Sequence, residues 1–303
     1  MSKPIAIEPK SFPEYEAAVI AGGGHLVKLA ADVKAVIWTD YTKPAELAAM
    51  LDANPQIEWV QLPFAGVDAF SDIISRPIQF TSAKGAYREP VAEHALALTL
   101  ALLRILPERA RSMSWGRRFA QTLYGANVVI VGGGGIAEEL IKLAAPFNSQ
   151  ITVVRKSSQK LAGAAETVGF EKFDAVLPAA DVVILAAALT EETKSLFNAK
   201  RFALLKPTAV LVNVARGPLV VTADLIEALN ENRIAGAALD VTDPEPLPDG
   251  HDLWSAKNIL ITPHTADTRE MVVRLFSERI TANVAAYCAG GPWVGAVDSA
   301  LGY

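Results

Sequence analysis

The feature that most constrains this chain is a train of short apolar runs in its second half. They lie at residues 127–131, 150–154, 181–186, 209–214, 236–239 and 258–261. Each is apolar nearly throughout rather than alternating, as expected of parallel strands covered on both faces. Amphipathic stretches at 135–147 and 222–230 separate some of them. Six such strands with helices between them predict one doubly wound parallel sheet of α/β class. The first third repeats the pattern on a smaller scale. Strands are expected at 4–7, 25–29, 34–38 and 59–62, with helices at 14–20 and 44–53. A single long helix is expected over 91–111, connecting the two α/β regions. Another is expected over 269–289, stopped by Gly290-Gly291-Pro292.

Composition fits that reading. At roughly 150 residues per domain, 303 residues predict two domains. Hydrophobic residues make up 51% and charged residues 20%, which excludes a disordered chain. A net charge of -5 argues against a phosphate-backbone binder, so no nucleic-acid partner is expected. One cysteine, Cys288, excludes an internal disulfide framework and a Cys-rich metal site. The four histidines form no HExxH pair, and no metal is expected. The apolar run at 5–7 is too short for a signal peptide, and Arg104 interrupts 95–106 well before the ~20 residues a bilayer needs. The expectation is a soluble cytoplasmic protein without a membrane partner.

The clearest local motif follows the run at 127–131. It reads G-x-G-x-x-A at Gly132, Gly134 and Ala137. The first glycine permits a tight turn, and the second lets a pyrophosphate approach the backbone. Ala137 keeps the following helix close to the strand. Backbone N–H groups at its start, around Gly135 and Ile136, favour a diphosphate. After the second strand an NAD-binding sheet ordinarily carries an acid for the ribose 2′-hydroxyl. Here the residues are Arg155-Lys156-Ser157. Arg155 can grip a 2′-phosphate bidentately and Ser157 can donate a hydrogen bond to it. NADP(H) is therefore the expected cofactor, with NAD(H) the alternative.

Three later strands end in chemically complementary residues: Arg216 after 209–214, Glu245 between Pro244 and Pro246 after 236–239, and His264 after 258–261. Ligands of open α/β sheets bind at the carboxyl ends of the strands, so these three are expected to converge. Arginine clamps a carboxylate and polarises a carbonyl. Histidine moves a proton near neutral pH, and a carboxylate beside it raises its pKa. Reduction of a 2-oxo acid needs such a set.

In these segments the chain resembles the D-isomer-specific 2-hydroxyacid dehydrogenases of the glyoxylate or hydroxypyruvate reductase type. The resemblance runs through 180–266, including Asn213-Val214-Ala215-Arg216-Gly217 and Thr262-Pro263-His264-Thr265-Ala266. It extends more weakly to Pro90-Val91-Ala92-Glu93-His94 and Phe64-Ala65-Gly66-Val67-Asp68. It implies two Rossmann-like or flavodoxin-like domains with a cleft between them, usually in a homodimer. The substrate domain would comprise residues 1–92 plus 269–303, and the dinucleotide domain 93–268. It also implies roles. Arg216 would bind the substrate carboxylate and carbonyl, His264 would be the general acid/base, and Glu245 its partner. Gly66 and Val67 would hold the carboxylate through their N–H groups. Asp240 would contact the nicotinamide amide. Val214, Ala215 and the segment from Ala187 and Ala188 to Thr193 would lie along the cofactor.

Ala188 stands where the family often has proline, so a looser turn is expected there. Arg88 could bind an extra anion, or pair with Glu89 or Glu93. His94 reads as a packing residue at a domain or dimer surface. Two other functions remain open on the sequence: a dinucleotide-sensing scaffold of the same fold, and a phosphoglycerate dehydrogenase-like enzyme.

Overall fold

The computed structural model describes residues 2–116 and 118–299. The chain divides into two compact units, one of residues 1–87 and 268–303, the other of residues 88–267.

The first unit carries strands β1 (Pro4–Glu8), β2 (His25–Leu26), β3 (Ala35–Trp38), β4 (Trp59–Gln61) and β5 (Gln79–Thr81). All pair in parallel, in the order β2-β1-β3-β4-β5. Helices Pro13–Ala21 and Pro44–Ala53 each begin with proline, whose fixed φ suits the first turn. The returning helix Arg269–Ala289 packs on Pro13–Ala21, with Tyr15 edge-on to Phe276. Gly22 makes this approach possible, because a Cβ there would meet Val284. Gly290 ends the long helix at φ +78, as the glycine pair predicts. Trp38, Leu47, Val60 and Phe70 fill the core.

The second unit holds β6 (Asn127–Val131), β7 (Gln150–Val154), β8 (Glu166–Val168), β9 (Val182–Leu185), β10 (Val210–Asn213), β11 (Gly236–Leu239) and β12 (Ile259–Ile261). The order is β12-β11-β10-β9-β6-β7-β8, all parallel. This sheet has seven strands rather than the six expected. The addition is the three-residue edge strand β8, too short and too mixed in polarity to read as a buried run. The direction of progression reverses between β6 and β9, which is where such sheets bind ligands. Phe173, Phe197, Phe202 and Leu211 lie in the core on this sheet, each contributing about 1.5–3 kcal/mol by burial.

The expected helix over 91–111 is two helices, Arg88–Leu103 and Leu106–Arg111. Ile105 between them is left-handed at φ +48. Pro107 is the cause: it lacks an N–H and its ring would clash with the carbonyl four residues back. The first helix lies wholly in the second unit, which begins at residue 88 rather than 93. Among the described residues no helix is long and apolar enough to cross a membrane.

Candidate active site

The glycine turn leaves β6 at Gly132, whose φ of +112 and tight packing on the Ala186 carbonyl exclude a side chain. Gly134 caps the helix Gly135–Ala144 without a side-chain hydrogen bond. A Cβ on Gly134 would meet nothing. The first N–H groups of this helix, at Gly135 and Ile136, thus adjoin open space at the switch point, a cradle suited to a diphosphate. Arg155 follows β7, and its side chain lies across the turn, so that a Cβ on Gly133 would strike it. Lys156 is exposed and 3.7 Å from Glu192. The Ser157 hydroxyl accepts from Gln159 N at 3.3 Å. These residues fit a nicotinamide dinucleotide: a glycine cradle for the diphosphate, followed after β7 by Arg155 and Lys156 rather than an acid.

On the other side of the switch point, the turn after β9 is laced by Thr193. Its hydroxyl accepts from Thr190 N at 2.8 Å and donates to Ala188 O at 2.7 Å. The turn at Ala187 and Ala188 is therefore held by hydrogen bonds without proline, in contrast to the looseness expected. Val214 and Ala215 continue β10 and are buried, with Val214 N donating to Leu185 O.

Arg216 comes next. The wholly buried Asn213 shapes its turn, its Oδ1 accepting from Ala215 N at 3.0 Å and its Nδ2 donating to Arg216 O at 2.9 Å. Gly217 lets this turn close on the neighbouring loop, because a Cβ would collide with the Thr242 carbonyl. That neighbouring loop carries Glu245. Its Oε1 lies 2.6 Å from His264 Nδ1, while Oε2 accepts from Thr242 N at 3.3 Å. The hydrogen bond to Glu245 raises the His264 pKa above its ordinary value, against the opposing effects of burial and Arg216. Burial alone would raise Glu245, but the His264 hydrogen bond and charge, with Thr242 N and Arg216, bring it below the usual range. Both shifts favour a charged pair, and Arg216 is near enough to act on each.

His264 adopts φ +52, a left-handed geometry uncommon for residues other than glycine. Its N–H donates to Asp240 O at 2.8 Å. Asp240 is 2% exposed. Its Oδ1 accepts from Thr262 Oγ1 and Thr265 N, and its Oδ2 from Ala266 N. Burial opposes ionisation, but donors from His94, Thr262 and Thr265 prevail and lower the Asp240 pKa to about 2.

Two residues here escaped the sequence reading. His94 does more than the packing expected of it: its Nε2 lies 3.2 Å from Asp240 Oδ1 and 3.0 Å from Thr262 Oγ1. Asp267, three residues beyond His264, has its carboxyl pushed up to about 6, first by burial and then by Asp240. Only its place in the Pro263–Asp267 string could have marked it. Arg88 pairs with Glu139 at 3.2 Å rather than with Glu89 or Glu93. Gly66 and Val67 belong to the first unit, in the loop between β4 and the turn Asp68–Phe70. Phe64 O in that loop accepts from Ala83 N at 2.9 Å.

The chain is similar to known proteins. Residues 96–266 match the family model described as D-isomer specific 2-hydroxyacid dehydrogenase, NAD binding domain. The chain is 39% identical over 298 residues to an uncharacterized protein in the proB 3′ region of Corynebacterium melassecola, covering 96% of this chain and 97% of that one. A glyoxylate reductase of Thermococcus kodakarensis is 33% identical over 251 residues, 77% of this chain and 75% of its own length. A solved structure of a D-isomer specific 2-hydroxyacid dehydrogenase from Xanthobacter autotrophicus Py2, in complex with NADPH and MES, matches with a TM-score of 0.87 at 26% identity. That match covers the whole of both chains.

Proposed function

The chain belongs to the D-isomer-specific 2-hydroxyacid dehydrogenase family, and from that premise we propose that it reduces a small 2-oxo acid of the glyoxylate or hydroxypyruvate type with NADPH. It is an NAD(P)-dependent oxidoreductase. The observation that carries the finer reading is the 2.6 Å His264–Glu245 pair with the Arg216 charge beside it, on loops at the carboxyl edge of the dinucleotide sheet.

When bound, the reduced nicotinamide supplies a hydride to the carbonyl carbon of the substrate. Arg216 clamps the substrate carboxylate and draws charge from the carbonyl oxygen as it becomes an alkoxide. His264, protonated and fixed at Nδ1 by Glu245, presents its Nε2 proton to that oxygen. Once the proton has left, Nδ1–H still donates to Glu245, so the ring keeps its orientation and tautomer. Asp240 would reach a carboxamide only through Oδ2, which already accepts one protein donor, so its main service is to the His264 loop.

Preference for NADPH rests on Arg155 and Lys156 and on the missing acid after β7. Replacing Arg155 by alanine is expected to raise the KM for NADPH by roughly 10- to 100-fold, the worth of one or two charge-assisted hydrogen bonds. The KM for NADH should hardly change. The test of the function is steady-state oxidation of NADPH and of NADH against a panel of 2-oxo acids including glyoxylate and hydroxypyruvate. Turnover with NADPH and a small 2-oxo acid is expected. Faster turnover with NADH, or none with any 2-oxo acid, would overturn it, and the second result would favour the scaffold alternative.

The partner surface belongs to a second copy of the chain. Beside a groove of about 600 Å³ lined by Leu102, Ile105, Leu229 and Ile234, the chain exposes Trp115 at 91% and Met113 at 99%. Apolar side chains this exposed, next in sequence to Ser112 on the rim of a groove of mixed polarity, fit a self-complementary, two-fold contact. Trp115→Glu should convert a dimer to a monomer by light scattering. A parent that is already monomeric would contradict it.

A further inference from the structure

The proton-donor loop is held from behind by a residue remote in sequence. His264 keeps its left-handed φ at a conformational cost, and such geometry persists only where the surroundings over-determine it. Asp240 does this. Its carbonyl accepts from His264 N at 2.8 Å. Its carboxylate accepts from Thr262 Oγ1 at 2.6 Å, Thr265 N at 2.9 Å and Ala266 N at 3.1 Å. Four donors from one short stretch thus converge on one buried residue.

A fifth donor comes from another element. His94 sits on the helix Arg88–Leu103, its Nε2 at 3.2 Å from Asp240 Oδ1 and 3.0 Å from Thr262 Oγ1. Thr262 spends its hydroxyl proton on Asp240, so its oxygen is left to accept. Nε2 faces two acceptors and therefore carries a proton. The other hydrogen bonds of the Asp240–Thr262 pair run along the carboxyl edge of the sheet, Asp240 N donating to Asn213 O and Thr262 N to Leu239 O, both at 2.9 Å; His94 is the bond from the helix to the two side chains.

We propose that His94 is a positioning residue for the reduction: its Nε2–H ties Asp240 and Thr262 to a rigid helix and so fixes the His264 ring against Glu245. It touches neither substrate nor cofactor. The inference rests on the assignment of His264 as proton donor. The charged groups around His264 are Glu245 and Arg216 on neighbouring loops, Asp267 on its own loop and Asp240 behind it. None of them is removed by substitution at position 94. A change in the titration of His264 then reports displaced geometry.

The test follows the imidazole ring protons by NMR through a pH titration of the free protein. It compares the parent with His94→Leu, His94→Gln and Thr262→Val, and assigns the His264 signal with His264→Ala. In His94→Leu the His264 midpoint should fall towards the ordinary histidine value. The kcat for 2-oxo acid reduction should fall by on the order of 10- to 100-fold, as expected when a reacting group is misplaced by about 1 Å. The KM for NADPH should change little. His94→Gln retains an N–H donor and should restore most of both readouts, whereas Thr262→Val should resemble the leucine variant. If His94→Leu does not fold, Thr262→Val against the parent decides the matter. A His264 titration and kcat equal to the parent would overturn the proposal, as would equal impairment in the leucine and glutamine variants. The titration needs no substrate. A midpoint shift in a protein that reduces no 2-oxo acid would refute the proposed function and leave the clamp standing.

Discussion

At residue scale the His264–Glu245 pair dictates a pH dependence. The folded-state pKa of His264 is raised, so its protonated form persists above the ordinary histidine range and is lost as pH rises through the raised value. The folded-state pKa of Glu245 is lowered, so its contribution is present above the ordinary carboxylate range and lost as pH falls. The pair therefore stabilises the loop between those limits. The kcat/KM for reduction should hold below the raised His264 value and decline as pH rises through it. Glu245→Gln removes the main cause of the raised value and should move that decline to lower pH. An unmoved alkaline limb would contradict the pairing. Arg216, Glu245 and His264 were legible because each follows a recognisable strand. His94 was not, because its partners lie on distant segments and no periodicity links them.

At the scale of elements, the glycines of the two key turns do different work, and alanine substitution separates them. Gly134 faces open space. Gly134→Ala should fold with a near-parental Tm yet bind dinucleotide more weakly, because the methyl group enters the cradle. Gly217 abuts the Thr242 carbonyl. Gly217→Ala should push the Arg216 turn off the Glu245 loop, lowering kcat/KM by roughly 100-fold and Tm by several degrees. Calorimetry and dinucleotide titration on the two proteins distinguish these outcomes, and equal behaviour would contradict the assignment. Most strands and the helices Thr222–Asn230 and Arg269–Ala289 were readable, because long apolar or periodic runs fix both type and limits. β5 and β8 were not, since three residues carry too little pattern. The break at Ile105 was announced by Pro107, but the apolar periodicity on either side masked it.

For the whole molecule, the seven-stranded order with its reversal between β6 and β9 brings the glycine turn, the Thr193 turn and the three catalytic candidates to one edge of the second unit's sheet. That convergence followed from the order of the segments alone. The electrostatic cost stored at the same edge did not. Asp267 has a folded-state pKa raised to about 6, chiefly by burial. The native state then binds more protons than the unfolded chain as pH rises from the ordinary carboxylate range to about 6, so stability falls through that window and the cost remains above it. Asp267→Asn should raise Tm by a few degrees at neutral pH and give no gain in acid below the window. A gain that does not depend on pH would contradict this assignment. The central claim is that His264 gives the proton while the dinucleotide site stands independently of it. The direct measurement is turnover of NADPH with glyoxylate by His264→Ala beside its NADPH affinity from fluorescence titration. A kcat lower by on the order of 10²- to 10⁴-fold is expected, with affinity unchanged; near-parental turnover in that variant would contradict His264 as the proton donor.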